Sequence, residues 1–358
     1  MAESSPIEWT DATWTPVRAQ VKMDAYDIAR AHGYTSLVDI AAKMAGHVGP
    51  HCERVSDACR NCYSETNNSR CLPNNGTGLP FDRRSRDLVD LFLDERILTH
   101  PLRWREPRRV FVCSQTDLFG EWVPDELILD VFDVMRECQN GFTRRLGGER
   151  GRLVASHTFQ ILTKRPARML DFCTRLRFAQ NDGRGLYLAS RLPHNGYNPM
   201  QALTHVWLGV SAENQQTFDE RVSQLAEVPA AVRFVSCEPL RDEIDCGNAF
   251  DDPPDGSAYG RIHWVIAGGE SGPKARPAHP DWFRSLRDQC RVSRVPFFFK
   301  QWGEWVSQNA GPQDIPLGGC KSIDVHDERG WLVDGMFRVG KKAAGRLLDG
   351  RTWEEYPA

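Results

Sequence analysis

Residues 263–271 read HWVIAGGES, a run of apolar side chains that stops at two glycines, a carboxylate and a hydroxyl. A strand without polar alternation is buried on both faces, as in a parallel sheet covered by helices. The same pattern recurs at Val110–Ser114 (VFVCS), Phe159–Lys164 (FQILTK), Val206–Ser211 (VWLGVS), Val232–Glu238 (VRFVSCE) and Val295–Gln301 (VPFFFKQ), with a candidate first strand at Ile7–Trp14. Helical apolar spacing fills the intervals at Asp125–Glu137, Arg165–Arg177, Gln216–Ala226 and Asp281–Arg291, and several of these segments open after Pro or Asp. Strand and helix in alternation predict parallel βαβ units with right-handed crossovers, hence an α/β fold: a partial or complete (β/α) barrel. No internal repeat runs at a fixed period, which argues against solenoids and propellers. Residues 139–158, 178–203 and 241–260 read as loops or surface excursions.

The 358 residues carry 45 basic against 48 acidic side chains, a formal charge of −3 that argues against a general polyanion binder. No apolar run approaches the roughly 18 residues needed to cross a bilayer, so no membrane partner is expected. The N-terminal MAESSPIEWTDATW lacks the basic-then-apolar order of a secretory signal, which predicts a cytoplasmic location. The 11 cysteines are odd in number and expected in a reducing compartment, so metal ligation, catalysis or burial must account for them. Cys113, Cys138, Cys173, Cys237, Cys246, Cys290 and Cys320 are scattered and read as small buried hydrophobes. Cys71 also stands apart.

Cys52, Cys59 and Cys62 form the one dense group, in GPHCERVSDACRNCYSE with spacing C-x6-C-x2-C. Structural zinc takes four ligands, and His51, adjacent to Cys52, is poorly placed to share one tetrahedral ion with it. Three thiolates suit a [4Fe–4S] cluster that keeps one iron open. The spacing alone leaves iron–sulfur, zinc and a non-metal role open.

Barrel enzymes build their sites at the C-terminal ends of the strands. Here those ends carry Ser114, Thr116 and Asp117, then Thr163 and Lys164, then Ser211, Glu213 and Asn214. Ser236 and Glu238 follow, then Gly268, Gly269, Glu270 and Ser271, and finally Lys300 and Gln301. Six polar ends together predict a polar pocket. Gly268 and Gly269 would let backbone approach a ligand, or simply make a tight turn. Glu238, Glu270 and Lys300, on the last three strands, are the candidate catalytic residues on the substrate side, with a structural Glu238–Lys300 ion pair as the alternative. Trp302 and Trp305 are placed either to stack a base or to pack in the core.

IEWTDATWTP, the three cysteines with CYSE, VFVCSQTDLF, ILTKRP, VWLGVSAEN, RFVSCEPL, HWVIAGGESGPKARP and VPFFFKQWGEW follow one another over residues 7–305. In this order they resemble the phage-associated three-Cys-motif family of unknown function, similar in turn to radical S-adenosylmethionine (SAM) enzymes, most nearly the spore photoproduct lyase branch. The resemblance implies a radical SAM barrel over 1–305, with a helical insertion at 18–49 and a C-terminal extension, 306–358, packed on it. Cys52, Cys59 and Cys62 would hold a [4Fe–4S] cluster, SAM would chelate the fourth iron, and an electron donor such as flavodoxin or ferredoxin would drive its cleavage to a 5′-deoxyadenosyl radical. Ser114, Thr116 and Asp117 inherit the place beside the SAM amino group, Lys164 its carboxylate, Ser211 and Glu213 the ribose, and Gly268 and Gly269 the adenine or substrate. The substrate class it suggests is a nucleobase or nucleic acid, in modification or repair. Two features depart from the radical SAM pattern: C-x6-C-x2-C in place of C-x3-C-x2-C, and the stretch Arg18–Gly49, which reads as two short helices serving as a lid, a partner surface or an inert insertion. The competing class is a non-catalytic, zinc-stabilised binding module of phage or mobile-element origin.

Overall fold

A computed structural model describes residues 5, 7–72, 75–143, 145–146, 152–178, 186–188, 200, 203–252, 260–327 and 329–358. The expected loops at 139–158, 178–203 and 241–260 lie partly outside these residues. Seven strands follow the predicted runs: β1 Ala12–Trp14, β2 Arg109–Val112, β3 Thr158–Thr163, β4 Val206–Ser211, β5 Val232–Cys237, β6 Trp264–Gly268 and β7 Phe297–Gln301. They form one sheet whose spatial order is their sequence order. The neighbours β1·β2, β2·β3, β5·β6 and β6·β7 run parallel. Sequential parallel strands separated by helices make the fold α/β and compatible with a partial (β/α) barrel. No helix among the described residues is long and apolar enough to cross a membrane.

The chain divides into two compact units, Met1–Trp207 with Pro229–Ala231, and Leu208–Val228 with Val232–Ala358. In the first, the insertion begins as a strand, Val17–Val21, that pairs antiparallel with Val48–Gly49 and Val89–Leu93. Two helices fill the interval, α1 Ala25–Ala31 and α2 Thr35–Met44. Their small faces, Ala25, Ala29 and Ala41, pack with Leu37 against Val21, Leu79 and Leu88 in a separate apolar core. That core returns the chain at Gly49, where a Cβ would lie 2.6 Å from the Thr77 nitrogen and 2.8 Å from the Gly76 Cα. The cysteine loop starts from this tightly held point and ends in α3, Tyr63–Ser69. After β2 comes α4, Asp125–Gln139, whose first-turn carboxylates Asp125 and Glu126 favour a helix N-terminus. After β3 comes α5, Pro166–Arg175, with Pro at a position that needs no N–H. Phe132 of α4, Phe172 of α5 and Phe119 meet with ring centroids 5.2–6.5 Å apart.

In the second unit, α6 Gln215–Ala226 is fixed by a capping box between Asn214 and Thr217, and α7 Pro280–Val292 opens on its Pro. Phe283 of α7 packs edge-on against Phe299 and Trp302, at 5.1 and 5.3 Å. The C-terminal residues run back along β7: Phe299 N–H donates to the Trp353 carbonyl at 2.9 Å, and Phe298 bridges Glu354 antiparallel. An edge strand is thereby covered by the chain's own tail. Trp305–Ser307, Lys321–His326 and Leu332–Arg338 form a small antiparallel sheet with the last strand in the middle.

Candidate functional site

In the first unit the cysteine loop is held from two sides. The Tyr63 hydroxyl donates to the Ser114 carbonyl and the Thr116 hydroxyl to the His51 carbonyl, while Ser64 Oγ reaches the Gln115 carbonyl at 2.6 Å. Of the residues expected near the SAM amino group, Ser114 therefore presents its backbone carbonyl, and Thr116 its hydroxyl, to the cysteine loop. Cys113, which starts this turn, has φ +54°, the left-handed region that a side chain rarely adopts. Burial pushes Cys52 and Cys62 up, and for Cys52 the Asp117 carboxylate and any charge on Cys62 or Cys59 act in the same direction. Burial would raise Cys59 as well, but the Lys164 ammonium, the Val55 and Ser56 N–H groups and the Ser56 hydroxyl outweigh it and hold that thiol below its ordinary value. The geometry agrees, with Lys164 Nζ 3.7 Å from Cys59 Sγ and 3.2 Å from Ser56 Oγ. Cys71 lies apart from this arrangement, its thiol directed at the Ser69 carbonyl at 3.3 Å.

Asp117, at the end of β2, is a hub. Its carboxylate accepts from Thr163 Oγ1 at 2.6 Å, the Lys164 N–H at 3.1 Å, Arg165 Nη1 at 3.0 Å and the Phe119 N–H at 3.1 Å. Four donors on a buried carboxylate leave it organising the end of β3 rather than reaching for a ligand. Arg165 carries the connection onward: Nη2 donates to the Glu53 carbonyl at 3.0 Å, beside Cys52, and the guanidinium lies 4.3 Å from the centre of the Trp122 ring. Arg165, Glu53 and Ser56 escaped the sequence reading. The only signal for Arg165 was its place directly after the strand-end Thr-Lys.

In the second unit each strand-end carboxylate meets a cation. Arg221 of α6 bonds Glu213 at 2.9 Å and the Ser211 carbonyl at 2.6 Å. Lys300 lies 3.2 Å from Glu238, which also accepts from Ser236 Oγ at 3.2 Å. Arg276 grips Glu270 through Nε at 2.8 Å and Nη2 at 2.9 Å, and its own N–H adds a third bond at 2.7 Å. Glu270 thus anchors the loop after β6. A Cβ on Gly268 would meet Glu238 Oε1 at 2.4 Å, and one on Gly269 the Trp302 carbonyl oxygen at 1.9 Å. Gly269 is required by the backbone packing on itself, whereas at Gly268 it is the Glu238 side chain that would have to shift. Of the two readings of Trp302 and Trp305, the structure bears out core packing: both indoles are buried, and their N–H groups donate to the carbonyls of Leu347 and Ala275.

The sequence profile of a protein family of unknown function, DUF5131, matches residues 44–357. The chain belongs to that family. No curated protein and no solved structure is significantly similar to it. The matched stretch takes in all three clustered cysteines, Asp117, Lys164 and the strand ends of the second unit, and it begins after most of the Arg18–Gly49 insertion.

Among the described residues, no group of three or more His, Cys, Asp or Glu side chains converges so as to hold one metal ion. A closed zinc site draws four ligands onto a single point. A four-iron cluster makes a different demand, since each thiolate binds its own iron and three thiols need only border a shared volume. Three half-buried cysteines on one clamped loop, one of them beside an ammonium, match that donor set in type and number.

Proposed function

We propose that this protein is a radical SAM-type iron–sulfur enzyme, with Cys52, Cys59 and Cys62 as the protein ligands of a [4Fe–4S] cluster. The observation that carries the reading is the grouping of these three thiols on a loop fixed to the ends of β2 and β3, with Lys164 against one of them. When bound, such a cluster supplies the electron that breaks a sulfur–carbon bond of SAM, giving methionine and a 5′-deoxyadenosyl radical that takes hydrogen from a substrate. The chain's own work is positioning. Asp117 fixes Thr163, Lys164 and Arg165, Arg165 ties the Cys52 end of the loop through the Glu53 carbonyl, and Tyr63 and Ser64 fix its other end. Trp122, packed on Arg165 and edge-on to His51 at 5.4 Å, shields that side from water. In the second unit the Glu238–Lys300 pair is the candidate for handling a polar group of the substrate, its side chains being 14% and 18% exposed and so exchangeable. A nucleobase or nucleic acid is the proposed substrate class, and a flavodoxin- or ferredoxin-type protein the proposed electron donor.

Anaerobic reconstitution with iron and sulfide tests the reading. A brown protein with about four irons and four sulfides per chain supports it. A colourless protein that takes up stoichiometric zinc and no sulfide supports the binding-module alternative and sinks this one.

A further inference from the structure

The resemblance assigns Lys164 to the carboxylate of SAM; in the structure its ammonium meets the cysteine loop. Nζ lies 3.2 Å from Ser56 Oγ and 3.7 Å from Cys59 Sγ, and Ser56 Oγ is itself 3.8 Å from that sulfur. An ammonium and a hydroxyl thus converge on one ligand of the proposed cluster. The base of the lysine is rigid, because its own N–H and the side chains on both flanks, Thr163 and Arg165, are bonded to the Asp117 carboxylate. Its partners also lie on the segment between Cys52 and Cys59, six residues in place of the three usual in radical SAM loops; Ser56 belongs to that longer segment and would be hard to place in the shorter one.

We propose that Lys164 and Ser56 form a hydrogen-bonding clamp on the Cys59 sulfur that raises the reduction potential of the cluster, which makes Lys164 a positioning and tuning residue. The inference rests on the cluster reading above. Reduction adds an electron that is spread over iron and sulfur, and hydrogen bonds and positive charge at a ligating sulfur stabilise the reduced form more than the oxidised one. The residue does not touch the reacting atoms; it acts through Cys59.

The test is an anaerobic redox titration, followed by electron paramagnetic resonance, of the full chain reconstituted with iron and sulfide in the absence of SAM. Iron content is measured for every sample. Lys164→Met is expected to keep the iron content and to lower the one-electron reduction equilibrium about tenfold, which is about 59 mV toward more negative potential. Lys164→Arg should recover most of that shift, and Ser56→Ala should give a smaller one of the same sign. SAM affinity of Lys164→Met, read by calorimetry, separates this role from a contact to the SAM carboxylate. A wild-type midpoint in Lys164→Met with full iron content overturns the inference and leaves the cluster reading standing. So does a loss of SAM affinity with no shift in potential. Should Lys164→Met lose its iron, Ser56→Ala decides, and an unmoved midpoint there is equally fatal. A wild-type protein that takes up no iron and sulfide removes the cluster reading and this inference together.

Discussion

A three-thiolate donor set has no spare member, so loss of any one sulfur leaves an iron without a protein ligand. Cys52→Ala, Cys59→Ala and Cys62→Ala should each bring iron per chain close to zero after reconstitution. Cys71→Ala should keep the wild-type content, because its thiol is engaged with the Ser69 carbonyl and not with the other three. Iron and sulfide assays check this, and a Cys71→Ala protein as empty as the other three would mean four protein ligands and no open iron. The Glu238–Lys300 pair calls for a different experiment. Its side chains are 14% and 18% exposed, between a surface pair and a fully buried one, so removing one partner should cost about 1–2 kcal/mol. Glu238→Gln and Lys300→Met should therefore fold, keep their iron and cleave SAM slowly without substrate, yet lose coupled turnover. Destabilisation of about 3 kcal/mol or more, with loss of iron in both variants, would mark the pair as structural.

At the level of elements, the N-terminal ends of the strands carry a recurring device. His157, His205 and His263 immediately precede β3, β4 and β6. His157 Nδ1 accepts the Arg108 N–H at 3.2 Å, and His263 Nδ1 accepts the Arg233 N–H at 3.1 Å. His205 uses Nε2 against the Met135 carbonyl at 2.8 Å. Each imidazole serves as a neutral cap for a neighbouring backbone group. Burial lowers all three, His205 and His263 to about 4. An unfolded histidine titrates near 6.5, so between that pH and about 4 the unfolded chain binds protons that the native chain refuses. This part of the stability is whole above pH 6.5 and drains away as the pH falls toward 4, by at most about 1.4 kcal/mol per pH unit for each residue. His263→Gln keeps an acceptor for the Arg233 N–H but does not titrate. Urea unfolding from pH 6.5 to 4.5 should show a shallower loss of stability in that variant than in the wild type. Equal slopes would show that His263 titrates alike in both states.

Across the whole molecule, the strands and the larger helices were legible because a buried parallel strand and an amphipathic helix each have their own period: the predicted Val206–Ser211 is β4 residue for residue, and Asp281–Arg291 falls within α7. The cysteine group was legible from spacing. What the sequence concealed is which strand-end polar groups already have partners. Asp117 looked available for a ligand until Thr163, Lys164 and Arg165 came to it from β3, and Glu270 until Arg276 folded back. Gly269 looked like room for a ligand, although the Trp302 carbonyl, 33 residues on, occupies the place of its missing side chain. Such pairings are set by tertiary approach, which no local pattern encodes. The insertion at 18–49 likewise hid a strand, Val17–Val21, whose partners include Val89–Leu93, far along the chain.

The central claim, that the cysteine loop supports reductive cleavage of SAM, is tested most directly by product analysis. Anaerobically reconstituted protein is incubated with SAM and dithionite, and 5′-deoxyadenosine and methionine are quantified by chromatography and mass spectrometry. Both products are expected in equal amounts from the wild type and none above background from Cys59→Ala. A wild-type protein with a full complement of iron and sulfide that yields no more 5′-deoxyadenosine than the Cys59→Ala variant would contradict it.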